Sequence, residues 1–166
     1  DNKILYLFTL SNKTLLIFFF FLTKKFSMKI ISYNVNGIRA AITKGFINWL
    51  QQANPDVICL QEIKATEDQI PTEDITNAGY PYQYYFPATK KGYSGVAVFS
   101  KQKADYVQYG NGMVQSDAEG RVIRVDFGNI TIVNAYFPSG TSGDERQAYK
   151  YVWLNEFLLY INTLKK

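Results

Sequence analysis

Apolar and polar positions alternate along the chain with two periods, one typical of strands and one typical of helices. Short apolar runs rich in β-branched and aromatic residues, bounded by Gly, Pro, Asn and Asp, predict strands. These runs are residues 29–33, 56–61, 82–86, 95–100, 106–109, 121–127 and 130–136. Apolar residues at helical spacing predict helices over 38–50, before the stop signal at Asn54-Pro55, and over 144–164.

The predicted elements follow the order β-α-β, then mostly β, then α. That order predicts a mixed sheet covered by helices, in an α/β layered sandwich. After residue 136 only one predicted helix follows, and its wide apolar face needs a partner to pack against. We therefore expect the chain to be a domain truncated to about its N-terminal half.

Residues 1–27 differ in composition from the rest of the chain. They contain an apolar run at 14–23 with four successive Phe, flanked by lysines. The run is shorter than the roughly 20 apolar residues of a transmembrane helix. A secretory signal is the alternative, but no small-residue cleavage site follows the run. We expect a hydrophobic low-complexity extension outside the domain, with the natural start at Met28 and the domain over 28–166.

Composition and charge exclude several classes of protein. The 166 residues are 47% hydrophobic and 19% charged, which excludes a disordered chain. The single cysteine, Cys59, excludes a disulfide framework, and the absence of histidine excludes a His-based triad or His-ligated zinc. The net charge of +4 is weak evidence for nucleic-acid binding, because residues 1–27 hold four lysines against one aspartate.

Oxygen ligands follow two of the predicted strands. Asn34 comes after the strand at 29–33, and Glu62 comes after the strand at 56–61. Ligands of open α/β sheets bind at the carboxyl ends of the strands, and Mg²⁺ prefers hard oxygen ligands while keeping positions for water and phosphate. The alternative is a solvated glutamate at a strand end and an asparagine that caps a turn.

Three further segments have the chemistry to hold a phosphate. Arg39 stands at a helix start, where a guanidinium and helix amides can bind one. Residues 90–95 combine two lysines, two glycines and Tyr93, which suits contact with a nucleic-acid backbone. Tyr136 ends a strand, and its hydroxyl can donate to a phosphate oxygen. The alternatives are an exposed arginine, an exposed hairpin loop and an ordinary buried tyrosine.

Five segments in order carry a resemblance to a known family. They are residues 29–40 (KIISYNVNGIRA), 56–64 (DVICLQEIK), 92–97 (GYSGVA), 119–123 (EGRVI) and 134–140 (NAYFPSG). Together they resemble the exodeoxyribonuclease III branch of the endonuclease/exonuclease/phosphatase superfamily, the Mg²⁺-dependent AP endonucleases of base excision repair. The resemblance runs from Met28 to the end of the chain and covers about the N-terminal half of the family's catalytic domain.

The resemblance implies a role for each matching residue. Glu62 takes the place of a Mg²⁺ ligand, with Mn²⁺ as an alternative metal, and Asn34 lies beside it in the metal site. Asn36 contacts these ligands without binding the metal itself. Tyr136 matches the catalytic tyrosine, which contacts the scissile phosphate. The positions that bind the DNA backbone in relatives are Arg39, Lys64, Gly92, Tyr93, Arg121 and Lys150, and Arg146 matches a basic position on the same helix as Lys150.

The resemblance also implies an activity for the full protein. It is an AP endonuclease with 3′-to-5′ exonuclease activity, acting on double-stranded DNA with abasic sites or 3′ ends. It implies no protein partner and no membrane, and a cytoplasmic location. The family's Gly-Asp-x-Asn strand end and terminal Ser-Asp-His are missing here, so this chain alone is expected to be inactive. The alternative is a non-catalytic remnant or a DNA-binding half-domain.

Overall fold

The computed structural model describes residues 3–8, 28–140 and 143–165. The strands in these ranges are β1 (Lys3–Phe8), β2 (Ile30–Asn34), β3 (Val57–Gln61), β4 (Tyr82–Phe86), β5 (Val96–Ser100), β6 (Tyr106–Tyr109), β7 (Val122–Phe127) and β8 (Ile130–Ala135). The helices are α1 (Ile38–Thr43), α2 (Phe46–Ala53), α3 (Thr72–Asn77), α4 (Val114–Ala118) and α5 (Asp144–Thr163), with a 3-10 turn at Glu67–Gln69. The seven strands and the long last helix expected from the hydrophobic pattern are confirmed to within one or two residues.

The strands form two four-stranded sheets that stack on each other. The first sheet has the order β2-β3-β5-β4, with β2 parallel to β3 and the other pairs antiparallel. The second sheet has the order β1-β8-β7-β6, with β1 parallel to β8 and the other pairs antiparallel. Helices α1 to α3 pack on the outer face of the first sheet, and α5 packs on the outer face of the second. This order of layers confirms the predicted α/β layered sandwich.

Strand β3 lies at the centre of the core because both of its faces are covered. Alternate residues of a strand point to opposite sides of the sheet. Ile58 and Leu60 pack against the helical layer, whereas Val57 and Cys59 pack against the second sheet. A strand buried on both faces reads as a continuous apolar run, which explains why this segment shows no alternation in the sequence.

Helix α5 packs on the second sheet through one face. Trp153, Phe157 and Ile161 are buried against Val133 and Ala135 of β8. The large apolar side chains that α5 leaves exposed are Tyr151, Val152, Leu158 and Leu159. The helix therefore carries apolar surface on more than the face that meets the sheet.

The helical region after β2 differs from the prediction of one helix. The helix breaks into α1 and α2 around Gly45, whose φ of +92° favours a residue without a Cβ atom. The apolar spacing continues across the break, so the sequence pattern did not reveal it. Helices α3 and α4 have six and five residues, too short to show a helical period in sequence.

Six residues of the N-terminal extension form strand β1. It runs parallel to β8, from Lys3 opposite Ile130 to Phe8 opposite Ala135. Pairing of this kind covers the backbone groups at the open edge of β8. The apolar run at 14–23 lies outside the described residues, and the extension and the start at Met28 stay predictions. Over the part of the chain that the structure describes, no helix has the length and apolar character to cross a bilayer.

Candidate active site

The two predicted metal-binding residues lie side by side at one edge of the first sheet. Because β2 and β3 are parallel neighbours, their carboxyl ends meet: Asn34 is paired with Gln61, and Glu62 follows directly. The backbone amide of Val35 donates to the carbonyl of Gln61 at 3.1 Å, and that of Gly37 donates to the carbonyl of Glu62 at 2.7 Å. The expectation that strand order brings Asn34 and Glu62 together agrees with this geometry.

Unusual backbone conformations are concentrated around these strand ends. Four residues other than glycine have a positive φ there: Asn36 at 46°, Glu62 at 55°, Lys64 at 50° and Ser94 at 45°. Left-handed backbone costs a residue with a Cβ atom about 1 kcal/mol or more. Backbone hydrogen bonds hold the strained segments against each other, including Lys64 N to the carbonyl of Ser94 at 2.9 Å. Strain held in place by its surroundings is typical of functional sites.

Tyr136 reaches this edge from the second sheet. It follows β8 directly, its ring packs against the core between the sheets, and its hydroxyl lies near the Glu62 carboxylate. Burial raises the pKa of the Tyr136 phenol well above its ordinary range, and the neighbouring Glu62 carboxylate raises it further. At neutral pH the hydroxyl therefore keeps its proton and acts as a hydrogen-bond donor.

Lys64 places a positive charge between two polar side chains of the site. Its ammonium donates to Asn36 Oδ1 at 2.6 Å and lies 3.5 Å from Glu62 Oε1. The backbone amide of Asn36 in turn donates to Asn34 Oδ1 at 3.0 Å. The side chains of Asn34, Asn36, Glu62 and Lys64 thus form one connected polar group at the strand ends.

The oxygen atoms of this group fit a hydrated divalent cation. Glu62 supplies a carboxylate whose side chain is 19% exposed, and Asn34 supplies a carboxamide oxygen. Mg²⁺ is commonly held by one or two carboxylates and keeps water and substrate phosphate at its remaining positions. Over the described residues no three Cys, Asp or Glu side chains converge as a metal site, so these residues can provide only a few of the ligands.

A buried carboxamide bridge joins the two sheets directly behind the site. Gln61 and Asn134 are fully buried, and Gln61 Nε2 donates to Asn134 Oδ1 at 2.7 Å. Asn134 Nδ2 donates to the carbonyls of Leu60 at 3.0 Å and Ala97 at 2.9 Å. Gln61 precedes Glu62, and Asn134 lies two residues before Tyr136. The bridge therefore fixes the strands that carry both residues.

A second polar cluster lies beside Tyr136, built around the carboxylate of Glu119. Arg121 Nε donates to Glu119 Oε2 at 2.5 Å, and Arg146 Nη1 donates to Glu119 Oε1 at 2.9 Å. The hydroxyl of Tyr93 accepts from Arg146 Nη2 at 3.0 Å and from Arg121 Nη2 at 3.3 Å. Burial raises the pKa of Glu119, but hydrogen bonds from Arg146 and Arg121 and their charges outweigh it, so the pKa lies below its ordinary value.

Arg121 also supports Tyr136 directly. Its Nη1 donates to the carbonyl of Tyr136 at 2.8 Å, and its backbone carbonyl accepts from the amide of Tyr136 at 2.8 Å. The guanidinium lies 5.0 Å from the centroid of the Tyr136 ring. Arg121 is 1% exposed, whereas its match to the family predicted a residue that contacts DNA.

The remaining predicted DNA-binding residues lie on α1, on the loop before β5 and on α5, and they are exposed or half-buried. Arg39 is exposed on α1, and Gly92 is exposed in the loop that precedes the buried Ser94. Tyr93 is half-buried beside Lys90, whose ammonium lies 5.5 Å from the ring centroid. Lys150, one turn after Arg146 on α5, is half-buried. These residues thus lie on three separate segments, and their contact with DNA stays a prediction.

Sequence reasoning missed three residues of this region: Gln61, Asn134 and Glu119. Gln61 and Asn134 are carboxamides inside otherwise apolar strands, and that contrast is a usable signal for a buried polar pair. Glu119 lies in a turn between α4 and β7, where a single acidic residue has no distinguishing pattern. Only the folded structure shows that its carboxylate meets two arginines.

Comparison with known proteins agrees with this architecture. The model of the Endonuclease/Exonuclease/phosphatase family matches residues 31–165, so the chain belongs to that family. It is 44% identical over 138 residues to the exodeoxyribonuclease of Bacillus subtilis (strain 168), covering 82% of this chain and 53% of that protein. It is 38% identical over 136 residues to the DNA repair nuclease APEX1 of Danio rerio, covering 81% of this chain and 44% of that protein.

Solved structures show the same fold. An AP endonuclease from Archaeoglobus fulgidus superposes with a TM-score of 0.73 at 30% identity, covering 82% of this chain and 52% of that chain. The 3′ phosphatase NExo from Neisseria, bound to product DNA hairpin, superposes with a TM-score of 0.72 at 26% identity. The superposition covers 81% of this chain and 51% of that chain. The chain spans about half the length of the relatives it matches.

Proposed function

We propose that this chain forms part of a Mg²⁺-dependent DNA phosphodiester hydrolase of base excision repair, with AP endonuclease and 3′-to-5′ exonuclease activity. The observation that carries the proposal is the meeting of Glu62, Asn34 and Tyr136 at one edge of the two sheets. The names of relatives, an exodeoxyribonuclease and an AP endonuclease among them, support the same class of reaction.

In this proposal Glu62 and Asn34 hold the metal through their oxygen atoms. Mg²⁺, with Mn²⁺ as an alternative, supplies a Lewis acid at a phosphate oxygen when bound. Lys64 lies close enough to Glu62 to balance its charge before the metal and DNA bind. Asn36 orients both the Lys64 ammonium, through its side chain, and the Asn34 carboxamide, through its backbone amide.

Tyr136 is the proposed donor to the scissile phosphate. Its protonated hydroxyl, which lies near Glu62, donates to a phosphate oxygen on which negative charge builds up. Arg121 fixes the ring and backbone of Tyr136, and we assign it to that support instead of to DNA contact, because it is 1% exposed. No residue of this chain is assigned to the attacking water, and the chain contains no histidine for that role.

The proposed substrate is double-stranded DNA with abasic sites or 3′ ends. We assign contact with the sugar-phosphate backbone to five exposed or half-buried residues: Arg39, Gly92, Tyr93, Arg146 and Lys150. The cytoplasmic location expected from the sequence remains part of this proposal. The expectation that this chain alone is inactive also remains a prediction.

The test of the proposed function joins residues 28–165 to the part of the Bacillus subtilis exodeoxyribonuclease that the match leaves out. We expect this chimera to cut an abasic duplex with Mg²⁺, and the 166-residue chain to leave the duplex uncut. In the chimera, Tyr136→Phe should lower kcat by on the order of 10²–10³, as for removal of one oriented donor. Glu62→Gln should raise the Mg²⁺ concentration needed for half-maximal rate, and added Mg²⁺ should rescue only this variant.

Controls separate the proposed function from its alternative. Tyr82→Phe removes a hydroxyl from an exposed position on β4 and should leave the rate unchanged. Electron paramagnetic resonance of Mn²⁺ with the 166-residue chain should show binding that Glu62→Gln weakens and Tyr136→Phe does not. If the chimera folds and does not cut, while the chain still binds an abasic duplex, the non-catalytic DNA-binding alternative replaces the proposal.

A further inference from the structure

An acidic residue lies at the centre of the surface proposed to contact DNA. The Glu119 carboxylate accepts a hydrogen bond from Arg121 Nε at 2.5 Å. It also accepts two from Arg146, from Nη1 at 2.9 Å and from Nη2 at 3.4 Å. The Glu119 side chain is 14% exposed, that of Arg146 is 25% exposed and that of Arg121 is 2% exposed. Glu119 thus holds one buried and one partly exposed guanidinium at once.

The Glu119 cluster joins three separate segments of the chain. Tyr93 belongs to the loop before β5, Glu119 and Arg121 to the turn before β7, and Arg146 to the first turn of α5. The Tyr93 hydroxyl accepts hydrogen bonds from both arginines, so its position depends on theirs. The Arg146 guanidinium also lies 4.8 Å from the centroid of the Tyr149 ring. The Tyr93 hydroxyl and the Arg146 guanidinium each make hydrogen bonds to both of the other segments, whereas the Glu119 carboxylate bonds to Arg121 of its own turn and to Arg146.

Two physical effects of Glu119 on DNA binding have opposite signs. A carboxylate near the DNA backbone repels the phosphates, so by charge alone its removal should strengthen binding. A carboxylate that fixes a long arginine side chain before binding lowers the entropy lost when that arginine meets DNA. Arg146 bonded by two nitrogens to one carboxylate is the arrangement in which an arginine is most strongly oriented.

We propose that Glu119 is a positioning residue for DNA binding, holding Arg146 and Tyr93 in the geometry that meets the DNA backbone. The inference rests on the proposed function, because it takes the surface around Tyr93 and Arg146 as the one that contacts DNA. It goes beyond that function because it assigns a role in DNA binding to Glu119, a negatively charged residue that does not itself contact DNA. Through Arg121, the same carboxylate also supports Tyr136.

The test compares two substitutions that change the net charge equally. Glu119→Gln and Glu145→Gln each remove one negative charge, and Glu145 is an exposed neighbour of Arg146 in the first turn of α5. Binding of the 166-residue chain to a fluorescein-labelled abasic duplex is measured by anisotropy at several salt concentrations. We expect Glu119→Gln to raise Kd by about 3- to 10-fold, the size typical of coupled contacts, and Glu145→Gln to leave Kd unchanged or lower it.

A second pair of variants covers the case in which Glu119→Gln does not fold. Glu119→Asp keeps the charge but shortens the side chain, so it should also raise Kd while leaving the net charge unchanged. In an Arg146→Gln background, Glu119→Gln should lose most of its effect, because the residue to be positioned is gone. Circular dichroism and a cooperative urea transition establish that each variant is folded.

The possible results separate this inference from the proposed function. If the wild-type chain does not bind the duplex, the positioning role of Glu119 in DNA binding by this chain is overturned, whereas cleavage by the chimera still decides the proposed function. If the wild type binds and Glu119→Gln binds as tightly as Glu145→Gln or more tightly, the positioning role is wrong and Glu119 only repels DNA. If Glu119→Gln and Glu119→Asp both fail to fold, Glu119 is a residue of the fold and the inference is overturned.

Discussion

The two helical layers of the sandwich stabilise the two halves of the candidate site to different degrees. On the first sheet, α1 to α3 enclose a large apolar cluster in which Ile38, Leu50 and Ile75 are fully buried. On the second sheet, helix α5 buries a smaller cluster around Trp153 and Phe157. Glu62 is supported by the first cluster, and Tyr136 lies between the second sheet and the first.

This difference indicates where the protein opens first. Regions with fewer buried apolar contacts unfold locally at lower free-energy cost than the rest of the domain. Helix α5 also leaves Tyr151, Val152, Leu158 and Leu159 more than half exposed, so much of its apolar surface contributes nothing to its attachment. We infer that Arg146, carried by α5, is less firmly held than Glu62, and that Glu119 compensates by binding Arg146 directly.

The largest effect is expected from removing the residue that attaches α5. Trp153 is fully buried, stacks on Phe157 with ring centroids 4.7 Å apart, and donates from Nε1 to Ser116 Oγ at 2.9 Å. Trp153→Ala should lower the free energy of unfolding by about 3–5 kcal/mol in urea titrations, because it leaves a large cavity and an unpaired hydroxyl. The amides of α5 should lose protection from hydrogen exchange before those of β3.

Tyr151→Ala serves as the control for this prediction. Tyr151 lies on the same helix but is 59% exposed, so the change should alter the free energy of unfolding by less than about 0.5 kcal/mol. Equal losses for the two variants would mean that α5 is not attached through its Trp153 face. Early loss of protection in β3 after Trp153→Ala would show that the two layers open as one unit, against the difference inferred above.

A smaller effect is expected at the buried carboxamide bridge that couples the layers. Asn134→Ala removes the acceptor that lies 2.7 Å from Gln61 Nε2, which keeps Ser32 Oγ at 3.1 Å and the carbonyl of Cys59 at 3.3 Å. It also deletes the side-chain donor to the carbonyls of Leu60 and Ala97. Deleting one partner of a buried hydrogen-bond network costs about 1–3 kcal/mol of stability. Urea titration measures that loss, and Asn162→Ala, an exposed change on α5, should be neutral. A neutral Asn134→Ala would show that the bridge does not couple the sheets.

The elements of the fold could be predicted from sequence to a greater extent than their arrangement. Strands such as Val57–Gln61 appear as apolar runs because burial on both faces selects apolar side chains along the whole run. The pairing of the strands and their division into two sheets depend on contacts between distant segments. No local sequence pattern records these contacts. The break between α1 and α2 was missed because Gly45 does not interrupt the apolar spacing.

Residues of the site could be predicted where a polar side chain directly follows an apolar strand. Asn34, Glu62 and Tyr136 each follow an apolar run, and the structure brings all three together, although their roles remain proposals. The approach of Tyr136 to Glu62 was not predictable, because it depends on how one sheet lies on the other. The burial of Arg121 was not predictable either, because an arginine beside a glycine in a turn is usually exposed.

The smallest expected effect concerns the strain at Glu62, which has no counterpart on the Tyr136 side of the site. Glu62 has a φ of 55°, whereas Tyr136 is not among the described residues with positive φ. Glu62→Gly and Glu62→Ala both remove the carboxylate, so the difference between them isolates the backbone. The glycine variant should be more stable by about 1 kcal/mol, because glycine adopts this conformation without a Cβ clash.

Glu73, an exposed residue of α3 with helical backbone, serves as the control for this prediction. There the order of stability should reverse, with the glycine variant less stable than the alanine variant by about 0.5–1 kcal/mol. Chemical denaturation of the four variants measures both differences. If alanine is the more stable residue at both positions, Glu62 is not strained, and the two sides of the site differ in packing alone.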